Sequence, residues 1–291
     1  MPGPMLTAAM PLLFVVLWST GFIGGKLGLP YAEPLTFLTL RYAAVLALML
    51  PLVWLMRAPW PGDARQFVHI GVSGLLVHGL YLGGVFTAIG AGLPAGVTAL
   101  VVGMQPLLTA LGAGWLLGER VVGRQWAGLA LGFGGVALVV IGQGSAAGFD
   151  APLGAMLIPA LFALAGITAG TLYQKRFCPS FDLRTGAVIQ FIPTLLVTAA
   201  AAYATETMEV DWSGEFIFAL GWLVVVLSLG AITLLNLLIR SGGAVNVASL
   251  FYLTPPTTAV MAWLLFDERL APLALAGMAV AVTGVWLARA R

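Results

Sequence analysis

Residues 95–138 read AGVTALVVGMQPLLTALGAGWLLGERVVGRQWAGLALGFGGVAL, and residues 244–287 read AVNVASLFYLTPPTTAVMAWLLFDERLAPLALAGMAVAVTGVWL. Set side by side, the two stretches agree at 15 of 44 positions, more than their common bias toward alanine, glycine and leucine supplies. Pro106 falls on Pro255, Glu119-Arg120 on Glu268-Arg269, Gly128 on Gly277 and Gly135 on Gly284. The offset is a constant 149 residues. Carried back without a gap, it sets Gly21 on Gly170, Lys26 on Lys175 and Glu33 on Asp182. A period of that length is too long for a solenoid unit and divides the chain into two related halves, residues 1–148 and 149–291.

Composition says where those halves live. Hydrophobic residues make up 60% of the chain and charged residues 8%, with a mean hydropathy of +1.03. A soluble domain carries roughly 25% charge, so this is an integral membrane protein with lipid as its solvent. The net charge of +2 implies no nucleic-acid partner and matters only through the side of the membrane each charge occupies. Cys178 is the only cysteine, which excludes an intramolecular disulfide and argues against a thiolate metal site. The first apolar run, Leu6 to Gly25, lacks a preceding basic residue and a small-x-small cleavage site, and reads as a retained span.

A helix needs about 20 apolar residues to cross the hydrocarbon. Charge, proline and glycine clusters then delimit ten expected spans, at about 6–26, 34–55, 66–90, 94–117, 122–142, 152–175, 183–203, 213–239, 244–265 and 271–289. With the N-terminus inside, ten basic residues fall on the cytoplasmic side, Arg57, Arg120 and Arg240 among them. Only Lys26 and Arg269 fall outside, with the acidic cluster Glu206, Glu209, Asp211 and Glu215. That asymmetry predicts both termini in the cytoplasm. Five spans per half is an odd number, so the halves insert with opposite orientation. Inverted repeats of this kind build alternating-access carriers. The expected fold is an all-α membrane protein, two inverted five-helix repeats around a central cavity.

Candidate site residues are those whose chemistry is costly in lipid. Pro106 and Pro255-Pro256 stand at mid-depth in spans four and nine, where each proline removes an intrahelical hydrogen bond. The freed carbonyls of Val102, Phe251 and Tyr252 must meet protein, water or ligand. Either the prolines are packing kinks, or, as a matched pair, they open a site and gate it. Gln105 and Thr254 lie beside them, with Thr98, Thr109 and Thr258 on the same stripes. His78 sits at the midpoint of span three with Tyr81 a turn further on; such a histidine faces a cavity or an interhelical partner. His69 is nearer the cytoplasmic interface. Trp18, Ser19 and Thr20 interrupt span one near its centre, whereas interfacial tryptophans favour span ends. Asn236 and Asn246 flank the turn between spans eight and nine, as helix caps or as a cytoplasmic gate. Arg41, about seven residues into span two, can snorkel to the outer interface or pair with carbonyls, and Gln190 takes its place in the second half. Trp18, Ser19, His78, Tyr81, Gln105, Tyr252 and Thr254 are expected to line one central pocket.

Rival classes fare poorly. Gly71-Val72-Ser73-Gly74 has the form of an intramembrane serine-protease motif, but both histidines share a helix with Ser73 and neither is aimed at it. There is no Walker A sequence and no intramembrane acidic pair for Mg²⁺. A channel would show charged rings or repeated carbonyl filters. No enzyme, cofactor or metal is therefore expected. The spans offer no basic clamp for a phosphate. Amide, hydroxyl, imidazole and aromatic groups suit a small zwitterion, with hydrophobic or cationic drugs as the alternative. His78 is the central side chain through which any proton coupling would run. Without it the protein is a facilitator, the reading favoured by the lack of an acidic partner.

The run Val16-Leu17-Trp18-Ser19, with Phe22, Lys26, Pro34, Phe37 and Arg41, resembles the first two helices of EamA-type carriers of the drug/metabolite transporter superfamily. Each half's closing pattern, Pro106 through Glu119-Arg120 to Gly128 and Gly135 and its copy, resembles the same family. The resemblance covers essentially the whole chain. It implies a ten-helix inverted-repeat carrier in the inner membrane, similar to YddG-type exporters. It also implies export of amino acids and related metabolites, aromatic or hydrophobic amino acids foremost. The lipid bilayer surrounds the carrier, and a monomer is the expected unit. Span six departs from the pattern, having Ile167 where Trp18 has its image.

Overall fold

A computed structural model of the chain describes residues 4–109, 112, 122–147, 152–178, 180–231, 234 and 251–287. Among them the regular structure is helical: α1 Pro4–Gly28, α2 Pro34–Leu55, α3 Ala64–Gly90, α4 Ala95–Thr109, α5 Gly123–Ala147, α6 Leu153–Phe177, α7 Leu183–Thr205, α8 Gly214–Ala231, α9 Thr254–Phe266 and α10 Pro272–Leu287. Seven of these are long and apolar enough to cross a membrane on their own, and Ala95–Thr109 and Pro272–Gly284 are shorter apolar helices. Their outward surfaces carry large apolar side chains, such as Leu12, Leu55, Leu196 and Leu264, which suit a lipid surrounding. Trp54, Tyr203 and Trp212 stand exposed near helix ends, the depth that suits amphipathic rings. This is a multi-pass membrane protein.

Helix starts follow local chemistry. Asp63 caps α3 by accepting from Arg65 N, Asp182 caps α7 by accepting from Arg184 N, and Ser213 caps α8 by accepting from Phe216 N. Pro34 opens α2 in the first turn, where its missing N–H costs nothing. The Arg184 side chain beside Asp182 holds that carboxyl down at about 2.

Two helices are wound more widely than an α-helix. Leu75–Leu82 in α3 and Trp222–Ala231 in α8 are π-helical. The offset maps Leu75 onto Val224 and Leu82 onto Ala231, so the second stretch contains the image of the first. Such windings concentrate at functional sites.

The contacts exchange under the same offset. A Cβ on Gly135 would lie 2.5 Å from Gly277 O, and one on Gly284 would lie 2.7 Å from Gly128 O. These are images of one another, and they pack α5 against α10 in antiparallel sense. At the level of helices, a Cβ on Gly21 of α1 would meet Leu227 of α8 at 2.8 Å, and one on its image Gly170 of α6 would meet Val77 of α3 at 2.5 Å. Where α2 crosses α7, Tyr42 faces Phe191, its own image, with ring centroids 5.5 Å apart.

Both mid-span prolines sit at breaks. Gly103 and Met104 form a tight turn in α4, and Pro106 enters the helix that resumes beyond it. Pro255 and Pro256 occupy the first turn of α9, after a 3₁₀ turn over Phe251–Leu253. The breaks touch, since a Cβ on Gly103 would lie 3.0 Å from Pro255 Cγ.

Candidate functional site

The windings of α3 and α8 leave space between them and the α2–α7 crossing. A small, partly open cavity lies there. The π-wound turns supply Val77, His78, Tyr81 and Leu82 from one half and Leu227 and Ser228 from the other. α1 contributes Trp18 and Phe22, α2 contributes Arg41, and Phe86 and Phe191 complete an aromatic wall.

The polar groups converge on it unequally. His78 Nε2 lies 3.4 Å from Gln190 Oε1, and its ring stacks on Phe191 at 4.3 Å between centroids. Its backbone carbonyl accepts from Tyr42 Oη at 2.7 Å, which secures the π-wound turn to α2. Gln190 also donates to Ser73 Oγ at 3.0 Å, and Ser73 donates to Ile70 O. The serine is thus tied into a structural network, with no hydrogen bond to a histidine among the described residues. Arg41 is 5% exposed and donates to Ser228 Oγ at 3.3 Å, while its Nε has no partner among the described residues. Of the two alternatives for Arg41, it does not snorkel to the outer interface, and among the described residues its bond goes to a hydroxyl and not to a backbone carbonyl. Its head turns inward because the α2–α7 crossing buries it beside the cavity.

The site residues expected from sequence fall into two groups. Trp18, His78 and Tyr81 line the cavity. Ser19, Thr254 and Gln105 lie at the joints around the proline breaks. Ser19 Oγ donates to Thr254 O at 3.4 Å, joining α1 to α9. Gln105 donates to Thr171 Oγ1 of α6 at 3.2 Å. Trp18 spans the groups, its indole edge-on to Phe251 at 5.3 Å. The Oγ1 atoms of Thr254 and Thr258 are buried without a partner among the described residues. Asn236, Asn246 and the side chain of Tyr252 lie outside the described residues. Sequence reasoning passed over Ser228, Phe86 and Phe191, ordinary residues that become lining only through the windings and the crossing.

One end of the bundle is closed by polar contacts. Lys26 pairs with Glu268 and lies 5.1 Å over the Phe266 ring. Tyr31 donates to Glu215, and that carboxylate pushes the phenol's pKa up. Glu206 accepts from the backbone N–H of Leu35 and Thr36 at 2.8 and 2.7 Å, capping α2 from a distance. Glu33 in turn accepts from Thr207 N and Oγ1, both at 2.6 Å, and these donors hold its carboxyl below the usual range.

The model of the EamA-like transporter family matches residues 5–141 and again 153–290. A protein of Escherichia coli (strain K12) named "probable amino-acid metabolite efflux pump" is 29% identical, across 96% of this chain and 93% of its own length. The transporter YvbV of Bacillus subtilis (strain 168) is 29% identical across 97% and 90%. A "probable terminal-alkyne amino-acid exporter" of Streptantibioticus cattleyicolor is 26% identical across 96% and 92%. A solved crystal structure superposes with a TM-score of 0.62 at 20% identity, covering 96% of this chain and 94% of that one, and shares the fold.

Proposed function

The chain belongs to the EamA-like transporter family, and from that premise we propose that it exports small zwitterionic metabolites, foremost aromatic or hydrophobic amino acids, by alternating access. It does so in the inner membrane, with both termini cytoplasmic. The carrying observation is the cavity between the two halves, where the π-wound turns bring His78, Tyr81, Arg41 and Trp18 together in an aromatic enclosure. That is the composition a small amphipathic ligand requires: apolar walls with a few fixed polar groups.

Ten helices in two inverted five-helix repeats supply the motion. The antiparallel α5–α10 contact with exchanged glycines and the Tyr42–Phe191 self-facing pair support a two-fold axis lying in the membrane plane. Rocking about that axis exposes the cavity alternately to each side. Lys26–Glu268, Tyr31–Glu215 and the Glu33 and Glu206 contacts form the outer gate in its shut state. The broken helices at Pro106, Pro255 and Pro256 bend as the halves rock, with Asn236 and Asn246 at the cytoplasmic gate. The buried Arg41 cation opposes a cationic drug in the same space, which weighs against the drug-export alternative.

The test is purified protein in liposomes offered a panel of radiolabelled amino acids. Saturable uptake with trans-stimulation by unlabelled substrate is expected. Flux that neither saturates nor responds to trans substrate would mark a channel, and no flux of any amino acid would remove the substrate assignment.

A further inference from the structure

One charged group in the cavity has no counter-charge among the described residues. Arg41 carries its charge in a wall of aromatic and aliphatic side chains at 5% exposure. Its single hydrogen bond among the described residues is to a neutral hydroxyl, Ser228 Oγ at 3.3 Å, and its Nε is unpartnered. None of the ion pairs among the described residues involves it, and no lining residue is acidic. An isolated buried cation is costly, and the cost falls when an anion with hydrogen-bond acceptors reaches it. The planar guanidinium fork matches a carboxylate in geometry and charge.

The second half sharpens the assignment. Gln190, the image of Arg41, is neutral and already engaged with Ser73 and His78. The cavity therefore holds a cation on one side only. It can neutralise one carboxylate; a dianion such as a phosphate monoester or a dicarboxylate would keep an uncompensated charge in the aromatic enclosure.

We propose that Arg41 is the carboxylate anchor of the cavity, selecting monocarboxylates whose apolar body packs against Trp18, Tyr81 and Phe86. Ser228 holds one guanidinium nitrogen, Nη2, in place, and the rest of the fork carries no bond among the described residues. This inference rests on the exporter function above and narrows its substrate class.

The experiment is competition binding to the purified protein in lipid nanodiscs, with tritiated leucine and tritiated phenylalanine as probes. Each is competed by the free acid, its primary amide and its decarboxylated amine. In the wild-type protein the amide and amine should compete at least about tenfold more weakly than the acid. Arg41→Gln should lower affinity for the acid by about tenfold or more and level the three competitors. Arg41→Lys should keep part of the affinity, since charge remains while the fork is lost. Equal competition by acid and amide in the wild type would overturn the assignment, as would Arg41→Gln with affinity and preference intact. If Arg41→Gln does not fold, the wild-type comparison decides alone. If no amino acid binds, the amino-acid substrate falls by itself. Tritiated isocaproate and phenylpropionate then test the anchor: binding that is lost in Arg41→Gln, or displaced by free acids and not by amides, supports it, and no binding rejects it.

Discussion

Gly134 and Gly135 are neighbours on α5, and alanine should act on them with opposite sign. A Cβ on Gly134 would meet nothing within 4 Å, whereas one on Gly135 would lie 2.5 Å from Gly277 O of α10. An ordinary carbon–oxygen contact is about 3.3–3.6 Å, so the helices must part by about 1 Å locally. The obstacle is backbone, and no side chain can rotate out of the way. A gap of 0.5–1 Å forfeits a quarter to a half of the dispersion at each contact, and overpacking of this kind costs about 1–3 kcal/mol. Alanine in place of a helical glycine returns about 0.5–1 kcal/mol. Gly135→Ala should therefore lose about 1–2 kcal/mol net, while Gly134→Ala gains about 0.5–1 kcal/mol. At about 2–4 °C per kcal/mol, Tm should fall by about 2–8 °C in the first and rise by about 1–4 °C in the second. The assay is thermal unfolding of detergent-purified protein, read as loss of the monodisperse peak on heating. Gly277→Ala meets Gly135 O in return, at 2.6 Å, so a single separation relieves both clashes. The double variant should cost less than the sum of the two. If Gly134→Ala and Gly135→Ala shift Tm alike, the close α5–α10 packing is wrong.

Reporter fusions at residues 1 and 291 should both report cytoplasm, and an insertion beside Glu209 should report the outside; a cytoplasmic Glu209 would end the inverted-repeat proposal. Liposomes at fixed substrate gradient should show no uphill accumulation when a pH gradient is imposed, as for a facilitator. Accumulation that vanished in His78→Gln would instead assign coupling to that imidazole. Asp182→Ala should lower stability at pH 7 by about 1 kcal/mol through loss of the α7 cap. Because Asp182 is held at about 2 in the fold, below its usual 3.8, its stabilisation is present above that usual value. The deficit, measured by Tm, should narrow as pH falls from 4 towards 2, and a deficit unchanged across that range would refute the carboxylate's role. Tyr81→Ala should weaken binding of radiolabelled substrate more than it lowers folded yield, with equal losses marking a packing role alone.

What the sequence determined by itself is what adds up residue by residue. Transfer to lipid is roughly additive over side chains, so 60% apolar residues and 8% charge required a membrane protein whatever the packing. Helix boundaries were legible where proline, a capping carboxylate or a serine supplies the start, as at Pro34, Asp182 and Ser213. The glycine correspondences of α5 and α10 were legible because a gapless offset compares residues without any structure. Which side of each helix faces inward was not. Helices surrounded by lipid and by one another are apolar all round, so hydropathy gives no contrast between wall and cavity. Depth alone therefore pooled Ser19, Gln105 and Thr254 with Trp18, His78 and Tyr81, and only tertiary structure sent the first three to helix joints. The same blindness hid the inward turn of Arg41. A single charge in a span reads alike whether it reaches the interface or a cavity, and the choice depends on α7 and α8, some 150 and 190 residues away in the chain. The π-winding that shapes the cavity is likewise a tertiary decision: one widened turn changes no residue's hydropathy, yet it rotates every side chain beyond it onto another face.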